Sequence, residues 1–325
     1  MFGAIIVAGV PSVESISTDG VGADGLNNDG QTPFACMTLL GQSVVSRLAD
    51  DWKQKGASAI SVFAPQRGLS PKLTDLWRRA GQRLSEYEQQ GIKSVVVAQA
   101  DAYAEIDIEV MLGVHEESGE TVTRAVSDDG PLHFWFLDPK RFSERDNLFE
   151  GLNTSRTVNF EVRGYVNRLE TPRDVRSLVT ESLSHRCHFR PQGYEIKPGV
   201  WMGGGAQVER SARVVAPAFI GRGVRIADEC LITRGSNIES DSRVDFGTAV
   251  EDSSILSCSY VGIGLDLSHS LVDGDSLFNL RHNVKLRISD PFVMRRNNVN
   301  GSNNQPPSDF ETGEMILSST EELAK

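Results

Sequence analysis

The chain has 325 residues, 39% hydrophobic and 24% charged, with a formal net charge of −11 and a pI near 5.1. That length supports two domains with separate cores, and the composition is ordinary for a soluble globular protein. The acidic balance argues against non-specific nucleic-acid binding, which needs Lys and Arg against phosphates, and suits an anionic membrane surface poorly. Neither nucleic acid nor membrane is therefore an expected partner.

The opening run Phe2-Gly3-Ala4-Ile5-Ile6-Val7-Ala8-Gly9-Val10 is apolar, lacks the basic flank of a signal peptide and is too short to cross a bilayer. It reads as a buried strand. Residues 11–31 form a Gly/Asp/Ser/Asn-rich loop. Val44, Val45, Leu48 and Trp52 have helical spacing and predict a helix over 43–55. A strand follows at 59–63, a helix at 72–90, a strand at 94–98 and a helix at 106–116. Further strands are expected at 133–137 and 158–162, and a helix over 171–182 with Thr171 as N-cap and Pro172 at its first position. Alternating strands and helices imply βαβ units and a mostly parallel sheet. The four cysteines, Cys36, Cys187, Cys230 and Cys258, form no C-x-x-C pair, so reduced thiols in a cytoplasmic protein are expected.

The pattern changes near residue 190. Ile196, Met202, Val208, Val214, Ile220, Ile226, Ile232, Ile238, Val244, Val250 and Leu256 form a six-residue ladder of eleven aliphatic positions. Small or β-branched residues recur four places later, from Val200 and Ala206 through Ser236, Ser242 and Thr248 to Ser254. A helix needs apolar spacings of three and four and a lone strand a spacing of two, so neither explains a strict six. A triangular solenoid does: one aliphatic side chain per short strand points to the axis, small residues turn the corners, and three hexads close a coil. The expected architecture is therefore an α/β domain over 1–185, a left-handed parallel β-helix of hexapeptide repeats over 186–290, and a disordered tail over 291–325.

Ala4-Ile5-Ile6-Val7-Ala8-Gly9, Leu40-Gly41-Gln42-Ser43-Val44-Val45, and Val97-Ala98-Gln99-Ala100-Asp101 with Ile106-Asp107-Ile108 occur in this order, with His115 and Thr123 after them. Gly164-Tyr165-Val166-Asn167-Arg168-Leu169-Glu170-Thr171-Pro172-Arg173-Asp174 and Ala216-Pro217-Ala218-Phe219-Ile220-Gly221 complete the series. Together these segments resemble the sugar-1-phosphate nucleotidylyltransferases, or NDP-sugar pyrophosphorylases, that carry a left-handed β-helix tail. The resemblance implies a nucleotidyltransferase-like α/β domain of sugar-nucleotide or polysaccharide metabolism and, as partners, a sugar phosphate or nucleotide sugar. A homo-oligomer formed through the β-helix is also expected.

That family's chemistry depends on positioning and charge: a Gly-rich loop with Arg and Lys cradles the phosphates and carboxylates hold magnesium. In this chain the stretch from Met1 to Ser46 contains no Lys or Arg, yet carries Glu14, Asp19, Asp24 and Asp29. Each charge-assisted hydrogen bond to a phosphate is worth roughly 1.5–3 kcal/mol, so ordinary triphosphate binding there should be lost. By the resemblance Asp101 matches the first metal aspartate, but the second falls at Arg168. Magnesium at Asp101 is then a residual role only, and Asp101 and Arg168 are the substrate-binding candidates, brought together in one pocket.

Three functions stay open: a binder or regulatory partner without standard nucleotidyl transfer; an active nucleotidylyltransferase drawing cations from Arg67, Arg168 or another chain; and a hexapeptide acyltransferase. The last needs a catalytic histidine between coils, whereas the ladder from Ile196 to Leu256 has none and His269 and His282 follow it. The Asp-Gly pairs of the loop Asp19 to Gly30 fit no EF-hand and read as a surface loop. His185, Cys187 and His188 lack a fourth zinc ligand and read as a connector.

Overall fold

A computed structural model describes residues 2–9, 32–65, 72–142 and 147–297, and the backbone of 315–318. The chain divides into two compact units, 1–36 with 44–168 and 307–325, and 37–43 with 169–306.

In the first unit the strand Phe2–Val7 is buried along its whole length, as its unbroken apolar run requires of a central strand. It pairs in parallel with Ala57–Phe63 on one side and Val95–Gln99 on the other. Helices α1 (Val44–Gln54) and α2 (Leu73–Gln89) each bury one apolar face, Val45, Leu48, Ala49 and Trp52 in the first and Leu76, Trp77, Ala80, Leu84 and Tyr87 in the second. Helix α3 (Ile108–Ser118) starts at Asp107, whose side chain accepts from the Val110 amide at 3.1 Å, and stops at Gly119 in the left-handed conformation.

Beyond Val95–Gln99 the sheet is mixed, not mostly parallel. Gly130–Leu137 runs antiparallel to Val95–Gln99 and forms a hairpin with Val122–Ser127, and Thr157–Glu161 lies parallel outside it. The turn at Asp128-Asp129-Gly130 reverses the chain, where only a single strand at 133–137 was expected. Helix α4 (Leu148–Thr154) supplies Phe149 to an aromatic cluster with Trp77 and Trp135. At the opposite edge, Met315–Ser318 pairs antiparallel with Ala57–Phe63, so part of the expected disordered tail is a strand.

The second unit takes in 37–43 and then runs from 169, where a start at 186 was expected. Helix α5 (Pro172–Leu183) belongs to it and opens with a reciprocal cap between Thr171 and Asp174. The reason is Arg176, buried against this unit's own backbone: it donates to the carbonyls of Gly235 and Arg234 at 2.8 and 3.2 Å and to Asp252 at 2.9 Å. The hairpin Thr38–Leu39 and Gln42–Ser43 belongs here as well. Its turn amides, Leu40 and Gly41, donate to the buried carboxylate of Glu239 at 2.7 and 3.1 Å. Gly41 has φ +89° and a Cβ there would meet Gln192 at 2.8 Å, so only glycine fits this turn.

From residue 200 the chain visits three parallel sheets in rotation. Val200–Met202, Ala218–Ile220, Asn237–Ile238, Ser254–Ile255 and Ser270–Asp273 stack in one; Gln207–Val208, Arg225–Ile226, Arg243–Val244 and Ser259–Val261 in the second; Arg213–Val214, Leu231–Thr233, Ala249–Glu251 and Asp266–Ser268 in the third. The inward aliphatics form one apolar cluster, each contributing roughly 1.5–3 kcal/mol.

The ladder differs from the expected one at both ends. Ile196 lies in Tyr194–Lys197, antiparallel to Val200–Met202, and is 54% exposed. At the other end the pairing offset falls from eighteen residues (Ile220↔Ile238) to seventeen (Ile238↔Ile255), so Ile255 takes the place assigned to Leu256. The stack continues through Val261, Leu267 and Val272, which places His269 within it. The corners are tied by hydroxyls. Ser236, Ser242, Thr248 and Ser253 each accept from an amide seventeen residues on, those of Ser253, Ser259, Leu265 and Ser270. Ser242 and Thr248 also donate to the carbonyls of Leu256 and Gly262. Met294–Arg296 pairs antiparallel with Ser259–Val261, again within the stretch expected to be disordered.

Candidate functional site

In the first unit, the carboxyl ends of Phe2–Val7 and Val95–Gln99 lie side by side, Val7 opposite Gln99. The amino end of Gly130–Leu137 runs past them, Phe134 opposite Ala98. Such strand ends form the usual ligand crevice of open α/β sheets.

The antiparallel crossing carries His133 to Asp101, with Nδ1 2.5 Å from Oδ2. Gln99 Nε2 donates to the same oxygen at 2.9 Å. The imidazole is held between aromatic rings, 5.5 Å from Trp135 and 5.8 Å from Phe149. Arg124, on the neighbouring strand, donates from Nε to the Leu132 carbonyl at 3.0 Å and lies 5.4 Å from the Trp135 ring centroid. Burial lowers its pKa, and the Asp101 carboxylate works against that shift.

Arg168 follows the short strand Val166–Asn167 and donates from Nη1 to the Pro131 carbonyl at 3.3 Å. Asp101 and Arg168 thus attach to the same strand, at His133 and Pro131, but no hydrogen bond or ion pair joins them. The partner of the carboxylate is His133, which the sequence marked only as the start of a strand. Nothing in the spacing of His133 and Asp101, 32 residues apart, signals the pair. Three buried polar atoms here have no hydrogen-bond partner among the described residues: Gln99 Oε1, Trp135 Nε1 and Arg168 Nη2. An unmet buried donor or acceptor costs about 1–3 kcal/mol, and a ligand would relieve it.

His115 and Thr123, both named by the family pattern, hydrogen-bond to each other at 3.0 Å in the core. Burial lowers the His115 pKa from its ordinary 6.5. The unfolded chain therefore takes up a proton that the folded one refuses, so stability is complete above 6.5 and falls as the pH drops below it. His115→Gln should flatten that slope when urea unfolding is followed from about pH 7 to about pH 5.

Among the described residues no group of three His, Cys, Asp or Glu side chains could hold a metal ion. His185 instead lies 2.7 Å from Arg190, and Cys187 is buried. Desolvation pushes the Cys36 thiol up to about 12 and raises that of Cys230, so neither is a thiolate near neutrality. Arg67 and the Asp19 to Gly30 loop lie outside the described residues. Among the described residues no helix is long and apolar enough to cross a membrane.

No family model and no curated protein matches the chain. Among solved structures it is similar to HddC from Yersinia pseudotuberculosis, crystallised with GMP-PN, at a TM-score of 0.37 and 12% identity, over 55% of this chain and 97% of that chain.

Proposed function

We propose that the first unit is a nucleotidyltransferase-like domain, related to the NDP-sugar pyrophosphorylases, that binds a phosphorylated sugar or nucleotide sugar without ordinary nucleotidyl transfer. In the same reading the stacked sheets are a left-handed β-helix of hexapeptide repeats through which copies of the chain associate. The protein would serve sugar-nucleotide or polysaccharide metabolism in the cytoplasm as a binder or regulatory partner.

One observation carries this. The carboxylate that the resemblance assigns to magnesium accepts hydrogen bonds from His133 and Gln99, while the nearby strand holds Arg168 with an open buried N–H. The first 46 residues add no Lys or Arg to hold a triphosphate. A guanidinium fork suits a phosphate oxygen pair, and the open Gln99 oxygen suits a sugar hydroxyl. Asp101 keeps at most a share in any magnesium site.

The test is twofold. Incubation with magnesium, a common nucleoside triphosphate and a sugar 1-phosphate should release no pyrophosphate above background; release would show that the chain is an active transferase. Arg168→Ala should weaken nucleotide-sugar binding by about tenfold to a hundredfold, the loss of one or two charge-assisted hydrogen bonds. Unchanged affinity would remove Arg168 from the site.

A further inference from the structure

A second site lies wholly within the second unit. A cavity of about 310 Å³ is lined by Arg173, Arg176, Asp252, His269, Leu280 and Arg281. We infer that it binds a small phosphate monoester, independently of what Asp101 and Arg168 bind.

Hydrogen bonds tie the walls together. Arg173, in the first turn of α5, donates from Nε to the Leu280 carbonyl at 2.8 Å and from Nη2 to that of Arg281 at 3.5 Å, pinning the turn that follows Ser276–Asn279. Asp252 and His269 occupy successive corners of the stack, with φ of +43° and +48°. Both oxygens of Asp252 are engaged, Oδ1 by Arg176 at 2.9 Å and Oδ2 by His269 Nδ1 at 2.5 Å. With that proton on Nδ1, Nε2 of His269 is an acceptor and lies 3.1 Å from Arg281 Nη2.

Charge then points to an anion. Three guanidinium groups face one carboxylate, and that carboxylate is already shared between Arg176 and His269. Arg173 and Arg281 have no carboxylate partner among the described residues. Both are exposed side chains on one cavity, in a chain of net charge −11. The amino end of α5 is already satisfied by Thr171 and Asp174, so the attraction comes from the guanidinium forks. Among the described residues Arg173 Nη1 and Arg281 Nε and Nη1 have no hydrogen-bond partner, and such guanidinium donors match the oxygens and charge of a phosphate dianion. The volume leaves room for a small organic group on the phosphate, at the low end of ordinary ligand pockets. Among the described residues His269 is the one aromatic ring that lines the cavity.

The experiment titrates the full-length chain with glycerol 3-phosphate, inorganic phosphate and glycerol at fixed ionic strength. Calorimetry reads affinity and the nuclear resonance of the His269 imidazole reads position. Wild type should bind both phosphates and not glycerol, with the His269 signal moving in step. Arg281→Gln should bind at least about tenfold more weakly while melting normally without ligand, since Arg281 is exposed and its side chain's one hydrogen bond among the described residues is to His269. Arg168→Ala should leave this binding intact. Absence of binding by wild type, a stationary His269 signal, unchanged affinity in Arg281→Gln, or loss of the binding in Arg168→Ala would each overturn the assignment. The His269 signal in wild type decides the matter even if Arg281→Gln fails to fold.

Discussion

Ile226→Asp should leave the three-sheet unit unfolded. Ile226 is 1% exposed, lies between Val208 and Val244 in the stack and belongs to the apolar cluster along its inside. Burying an unpaired carboxylate and losing the aliphatic contacts costs on the order of 5 kcal/mol or more. That is comparable to the whole stability of an ordinary domain, about 5–15 kcal/mol. Its neighbour Arg225 is exposed on the outer face, so Arg225→Asp should change stability by less than about 1 kcal/mol. Soluble yield and urea midpoints of the two variants, measured side by side, check this; similar values would mean that the inward register is misassigned.

The second large effect is expected at Arg176, which ties α5 to the corners of the stack. Arg176→Met should destabilise the second unit by about 2–4 kcal/mol, because it strands the Gly235 and Arg234 carbonyls and half-frees the Asp252 carboxylate. The lower end is favoured by Asp252, which is 35% exposed and keeps His269 as partner. Arg176→Lys should recover only part of the loss, since a point charge cannot reach two carbonyls and a carboxylate together. Equal urea midpoints for wild type and Arg176→Met would show that α5 is held by its apolar face alone.

What the sequence made legible follows the strength of each local pattern. The six-residue rhythm identified the inward positions from Met202 to Val250, because one buried side chain per strand leaves a period that no other element produces. It failed where adjacent residues were both aliphatic. Ile255 and Leu256 are equally apolar, and the shortened step after Val250 appears only in the backbone pairing. Ile196 obeys the rhythm by coincidence, lying on a strand that turns back. The Asp128-Asp129-Gly130 hairpin was legible in principle from its turn residues. The contacts of Asp101, Arg168 and Glu239 were not, since each joins segments distant in sequence by backbone geometry that no spacing records. Glu239 follows Ile238 and would be taken for an outward residue, yet it is buried and accepts from Leu40, Gly41 and Asn237.

We propose that the first unit binds a phosphorylated sugar through a fixed guanidinium, that of Arg168, and not through magnesium. The most direct measurement is a calorimetric titration of the full chain with a panel of nucleotide sugars, first in EDTA and then in excess magnesium. At least one ligand should bind with the same affinity in both buffers and more weakly in Arg168→Ala. Binding that appears only with magnesium, or that is indifferent to Arg168, would contradict it.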